Sequence, residues 1–228
     1  MDMWVILPGL ALAPRDYAPL AALLRGRVIV ADQWAVPLTS EDLPRALGLP
    51  DRGTERLDLI GHSLGGLAAL SLALDGADSL TLLDPTTLGE ASSHIRVPRF
   101  AAPLGALARA AAMLALTGKD PISGAERQAR YGTPAGLEAI TFQLAELARL
   151  QDRISQKLGH PLPPTLHVCA LPHPGASSHR SAQRAFARQI GSELIEARGW
   201  NHLFPLTHPA EVAELILAGP STRQPPAN

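Results

Sequence analysis

One serine stands among glycines where an apolar run changes its period, in "RLDLIGHSLGGLAALSLAL", residues 56–74. The hexapeptide "GHSLGG" fits the pattern G-x-S-x-G around Ser63, with a strand-like run before it and a helical run after it. A strand–turn–helix elbow of this kind lifts a serine oxygen above the edge of a sheet and holds its backbone in a strained conformation. Gly61 and Gly65 are required because a β-carbon at either place would strike the neighbouring strand or helix. The helix start behind Ser63 offers free N–H groups and a positive dipole end, which suits a developing oxyanion. A capping serine in an ordinary turn is the plainer reading, and the flanking elements favour a nucleophile over it. A serine hydroxyl needs a base, and the base needs a carboxylate to orient it, so a histidine and an acid are sought elsewhere.

The elements that must position these groups follow from the apolar pattern. Runs at 4–9, 27–32, 56–61, 79–84, 165–170 and 192–197 have strand length and are mostly continuous in Val, Ile and Leu, which suits strands buried on both faces. Helical patterns fall at 16–25, 42–48, 64–75, 179–190 and 208–218, the last opened by Pro209 and closed by Gly219-Pro220. This alternation predicts an α/β fold with a mostly parallel sheet covered by helices on both faces. It breaks once, between Asp84 and Thr165, in an Ala- and Leu-rich segment predicted to be helical at 101–117, 122–131 and 135–158.

Composition limits the function classes. Of 228 residues, 46% are apolar and 18% charged, enough for a large core. The net charge of −1, with Lys and Arg scattered, argues against a nucleic-acid binder. The single cysteine, Cys169, permits no internal disulfide and points to a reducing compartment. "MDMWVILPGL" lacks a basic head and meets Pro8-Gly9 early, so it reads as a strand and not a signal peptide. No run approaches the ~18 apolar residues of a membrane span, and a cytoplasmic location is expected.

The elbow, the opening "VILPGLALAPRDYAPLAALLRGRVIVAD" and the closing "NHLFPLTHPAEVAELI" together resemble the α/β-hydrolase fold over residues 3–218. The resemblance implies a six-stranded sheet, trimmed at its start relative to the family, with loops after the first and third strands meeting at a switch point where ligands bind. It implies that Leu10, after the Pro8-Gly9 turn, and Leu64 lend backbone N–H groups to an oxyanion hole. It places the catalytic histidine seven residues before the helix-opening Pro209, at His202, and leaves His208 a structural role. Residues 1–84 and 161–218 would form the core, 85–160 a helical lid insert, and 219–228 a disordered tail.

The acid departs from the family's usual pattern. Where the family places its Asp, this chain has His173, and no Asp or Glu occurs between Asp152 and Glu193. Another placement known in the fold, at the end of the preceding strand, falls on Asp84 in "SLTLLDPTT". A turn-forming Asp before Pro85 is the structural alternative. The empty usual site favours the catalytic role.

Other residues take plainer readings. Asp32 organises a loop, and Asp58 lies near the exposed start of a strand. His160, His167, His173 and His179 lack zinc-site spacing, so no metal or cofactor is expected. Cys169 is packing, and Arg96 and Arg99 are solvated lid residues. The apolar insert packs on the core and in addition could roof an apolar acyl pocket. The implied activity is hydrolysis of a small-molecule carboxylic ester or thioester, its acyl group apolar, by Ser63, His202 and Asp84. The alternative is a ligand-binding or scaffold protein of the same fold with weak or no catalysis. A missing acid at the usual place is the alternative's only support.

Overall fold

The computed structural model describes residues 2–49, 55–89, 102–173 and 175–220. Arg96 and Arg99, like the tail beyond 220, lie outside these residues. In chain order the strands are β1 (Asp2–Leu7), β2 (Arg27–Val30), β3 (Arg56–His62), β4 (Ser79–Leu83), β5 (Thr165–Leu171) and β6 (Glu193–Arg198). They form one six-stranded sheet in the order β2-β1-β3-β4-β5-β6, with every neighbouring pair parallel. The chain steps outward from β1 to β2 and returns to β3 on the other side, so the crevice above β1 and β3 is the switch point.

Alternate side chains build the two layers. Met3, Val5 and Leu7 of β1 point into one cluster with Leu59, Leu80 and Leu82. Trp4 and Ile6 point into the opposite cluster with Ile60, Leu83 and Val168. Among the described residues the first face is covered chiefly from α2 (Leu43–Ala46), α3 (Leu64–Gly76), α7 (Leu147–Lys157) and α8 (Ser177–Ile190). The second face is covered from α1 (Ala18–Ala21), α9 (Phe204–Thr207) and α10 (Pro209–Ala218). β1 and β5 are almost wholly buried, which explains their unbroken apolar character.

The remaining helices are α4 (Ala102–Thr117), α5 (Gly124–Tyr131) and α6 (Pro134–Ala145). The single helix predicted over 135–158 is divided at Glu146 into α6 and α7. Leu147, Leu150 and Ile154 of α7 join the core beside α3, so the last part of the 85–160 segment belongs to the helical layer of the sheet. The helix predicted over 16–25 is a 3₁₀ turn at Pro14–Tyr17 followed by the short α1, with Pro14 and Pro19 interrupting the backbone donors. The single turn α9, opened by Phe204-Pro205, was not expected from the sequence.

Contacts tie α4–α6 to the loops after β1 and β2. Arg109 meets Asp16 at 2.5 Å, Arg130 makes paired hydrogen bonds to Asp32 at 2.6 and 2.8 Å, and the Tyr131 hydroxyl donates to the Ala11 carbonyl. Asp32 also accepts the Trp34 N–H, so it organises its loop and holds α5 at once. Asp58 is buried and not at an exposed strand start; Arg56 and Ser79 satisfy its carboxylate.

Candidate active site

Ser63 is the one residue between β3 and α3, with φ 53° and ψ −124°. A non-glycine residue in that region is strained, and the surroundings hold it there. The Ser63 N–H donates to the Leu83 carbonyl, and its own carbonyl accepts from Gly66 and Thr86. A β-carbon on Gly65 would run into the carbonyl oxygens of Leu7 and Pro8, and one on Gly61 into the Gly65 carbonyl. Gly66 has the same requirement, since its β-carbon would stand 2.6 Å from the Pro85 ring. Three close approaches therefore fix the elbow against β1 and the turn after β4.

Asp84 sits in that turn, at φ 45°. Short polar side chains tolerate this conformation better than others do. Its carboxylate is buried, and each oxygen is used. Oδ2 is 2.6 Å from His202 Nδ1, while Oδ1 accepts the Ala170 N–H at 3.0 Å and faces His179 Nε2 at 2.9 Å. Burial pushes the carboxyl pKa up, but the hydrogen bonds from His202 and Ala170 and the charges of both imidazoles outweigh it and hold it below the ordinary value. An ionised carboxylate can only accept, so His202 Nδ1 carries the proton and Nε2 is left as the basic nitrogen. Ser63, Asp84 and His202 line one cleft of about 600 Å³.

The loop after β1 is pinned on both sides of Leu10. The Gly9 N–H donates to the Tyr17 hydroxyl at 2.9 Å, and the Ala11 N–H donates to Gln33 Oε1 at 3.1 Å. Gln33 Nε2 reaches back to the carbonyls of Gly9 and Leu12. Gln33 is itself bonded by Gln143 of α6, which is fully buried. Leu64, the first residue of α3, has an N–H with no partner inside the helix.

Polar groups line the described walls of the cleft beside the serine: Thr86, His173, Ser178, His179 and Gln183. On α4, Leu104, Leu107 and Leu114 are exposed, so that helix does not spend all its apolar surface on packing. Asp84, Cys169 and His179 offer donor atoms within 4.8 Å of one another, a spacing a metal ion could use. In this structure Asp84 Oδ1 accepts the Ala170 N–H and faces His179 Nε2, and Oδ2 faces His202.

Of the expected residues, Ser63, Asp84 and His202 come together. Leu64 follows Ser63 at the start of α3, and Leu10 lies in the loop after β1, which closes on the elbow through Leu7 and Pro8. His208 instead bonds Thr207 and stacks on Trp200. Tyr17, Gln33, His62 and His179 were not singled out as functional from the sequence. Only His62 carried any signal, by lying inside "GHSLGG".

A family model for the alpha/beta hydrolase family matches residues 4–215, and the chain belongs to that family. Among solved structures, ALR0039 from Nostoc sp PCC 7120 superposes with a TM-score of 0.67 at 16% identity, covering 98% of this chain and 92% of the other. The epoxide hydrolase CorEH gives 0.63 at 17% identity over 96% of this chain and 91% of its own. The serine hydrolase CarC, involved in carbazole degradation, gives 0.59 at 16% over 96% and 90%. At these identities the likeness is one of fold. No curated protein matches the chain in sequence.

Proposed function

We propose that this chain is a serine hydrolase cleaving a carboxylic ester or thioester through an acyl-enzyme. The observation that carries the reading is the 2.6 Å contact between Asp84 Oδ2 and His202 Nδ1, on the same cleft as the strained Ser63. Ser63 Oγ attacks the carbonyl carbon while His202 Nε2 takes the hydroxyl proton. Asp84 keeps the ring oriented and stabilises the imidazolium. The carbonyl oxygen, now negative, receives the N–H groups of Leu10 and Leu64. Collapse breaks the bond to the leaving alcohol or thiol, which takes the proton from His202. Water, deprotonated by the same nitrogen, then releases the acid and restores Ser63.

CorEH, alike in fold, is named an epoxide hydrolase, and chemistry separates that reaction from this one. Opening an epoxide with a serine oxygen would leave an ether, which offers water no carbonyl to attack, so Ser63 would not turn over. An acyl-serine does not have that difficulty. The apolar content of the 85–160 segment favours an apolar acyl group, and the polar wall of Thr86, His173 and Ser178 suits the other half of the ester.

Labelling with a fluorophosphonate tests the reading without knowledge of the substrate. Wild-type protein should label at Ser63 and Ser63→Ala should not. Acetyl to octanoyl p-nitrophenyl esters beside the matching acyl-CoA thioesters would then define the acyl and leaving groups, with medium chains expected to turn over faster than acetyl. Absence of labelling would instead leave a binding or scaffold protein.

A further inference from the structure

Directly behind the elbow lies a histidine that this chemistry does not consume. His62 and Tyr17 are both fully buried. His62 Nε2 lies 2.8 Å from the main-chain oxygen of His202, and its Nδ1 lies 2.6 Å from the Tyr17 hydroxyl. The Tyr17 oxygen in turn receives the Gly9 N–H at 2.9 Å.

These contacts determine every proton. A carbonyl only accepts, so His62 Nε2 bears the hydrogen and donates it to His202. Nδ1 of the neutral ring is then an acceptor, and the Tyr17 hydroxyl donates to it. The phenol oxygen keeps a lone pair for Gly9. Both nitrogens of the imidazole and the hydroxyl of the phenol are satisfied, and the run has one direction, from Gly9 to Tyr17 to His62 to His202.

The anchoring points are the ones the chemistry depends on. Gly9 precedes Leu10, His62 precedes Ser63, and the accepting carbonyl belongs to His202 itself. Packing leaves the bridge little play. A β-carbon on Gly9 would stand 3.0 Å from His62 Nδ1, and the His62 and His202 rings have centroids 4.8 Å apart. Burial and the neighbouring His202 push the His62 pKa down to about 3, so the ring stays neutral beside an imidazole that must become positive during catalysis.

We propose that Tyr17 and His62 are positioning residues: one buried bridge that sets the oxyanion-hole N–H of Leu10, the Ser63 elbow and the His202 base in mutual register. This rests on the serine hydrolase reading. Catalytic groups displaced by ~1 Å lose on the order of 10² in rate, and loss of an oxyanion donor costs on the order of 10²–10³. Breaking the bridge should therefore act on kcat far more than on KM.

The test compares Tyr17→Phe, His62→Leu and His62→Gln with wild type, by fluorophosphonate labelling rate and by kcat and KM on p-nitrophenyl acetate. Tyr17→Phe, which removes one oxygen and spares the fold, should slow labelling and kcat at least ~10-fold with KM within ~3-fold. His62→Leu should fall further, and His62→Gln, which can still offer an N–H to the His202 carbonyl, should recover part of the loss. Ser79→Ala serves as the stability control. It removes a half-buried hydrogen bond to Asp58 at the far end of β4, and should lower the melting temperature without touching kcat. Wild-type kcat in both Tyr17→Phe and His62→Leu, with wild-type protein labelling normally, overturns the bridge alone. A wild-type protein that does not label overturns the hydrolase reading and the bridge with it.

Discussion

His179 sits on the oxygen of Asp84 that His202 does not use, with Nε2 2.9 Å from Oδ1, opposite the 2.6 Å contact on Oδ2. The acid thus stands between two imidazoles of unequal role. Both rings line the cleft with Ser63, but only His202 has its carbonyl anchored by the buried His62. His179 comes from α8, and its removal leaves Oδ1 with the Ala170 N–H.

His179→Ala should therefore slow turnover by less than ~10-fold, while His202→Ala should abolish it to the level of the residual oxyanion hole. Steady-state kinetics on one activated ester decides this. A larger loss in His179→Ala than in His202→Ala would mean that His179, and not His202, is the working base.

Asp84→Asn removes the charge while keeping the shape. Asn tolerates the positive φ of 45° at this position, so the fold should persist. Turnover should fall by at least ~10², because an amide presents the wrong partner to His202 Nδ1–H and no charge to the imidazolium. Asp32→Asn, whose carboxylate pairs with Arg130, is the control; it should cost stability and little rate. Near-full activity in Asp84→Asn would leave a Ser63–His202 dyad.

The sheet was legible in the sequence because strands buried on both faces must be apolar at nearly every position, and β1 and β5 are. Ser63, Asp84 and His202 could be named because each lies at a landmark: a glycine elbow, a strand end before Pro85, a fixed distance before Pro209. Tyr17, Gln33 and His179 carry no such landmark, and His62, though inside "GHSLGG", gives no sign there of its partners. Their partners lie 45, 22, 140 and 95 residues away in the chain, and only the folded packing brings them together. Asp58 belongs with them: it is buried, and Ser79, 21 residues on, donates to its carboxylate beside the neighbouring Arg56. The helix predicted over 135–158 failed at Glu146, where α6, which buries Gly136 and Gln143 and exposes Phe142, gives way to α7, which buries Leu147, Leu150 and Ile154.

Strain at Ser63 gives a stability prediction of opposite sign to the activity one. A non-glycine residue at φ 53°, ψ −124° costs ~1–3 kcal/mol. Ser63→Ala keeps its β-carbon and the strain, so its melting temperature should stay close to wild type. Ser63→Gly relieves the strain against a glycine entropy cost of ~0.5–1 kcal/mol. It should be inactive yet melt about 2–4 °C higher. Calorimetry on the two variants checks this, and a Ser63→Gly protein that melts lower would mean the elbow is not strained.

Acid sensitivity should come in part from buried histidines. His167 is fully buried on β5, where it bonds Gln183 Oε1 at 2.6 Å, and Gln183 in turn donates to the Pro85 carbonyl. Its Nδ1 has no hydrogen-bond partner. Burial holds its pKa down to about 4, and His62 is held down to about 3. Unfolded, both titrate near ~6.5. Below that pH the unfolded chain binds protons that the folded chain refuses, so stability is complete above ~6.5 and falls as the pH drops towards the folded values. The window is thus from ~6.5 to about 4 for His167 and to about 3 for His62. Each group contributes a slope of up to ~1.4 kcal/mol per pH unit inside its window. His167→Gln removes one titrating group outside the catalytic machinery, so the acid slope of its stability should flatten by that amount between pH 6.5 and 4, whatever its stability at neutral pH. Urea unfolding at several pH values measures it. Parallel curves for the variant and wild type would show that His167 takes up its proton while still folded, and that the acid loss starts elsewhere.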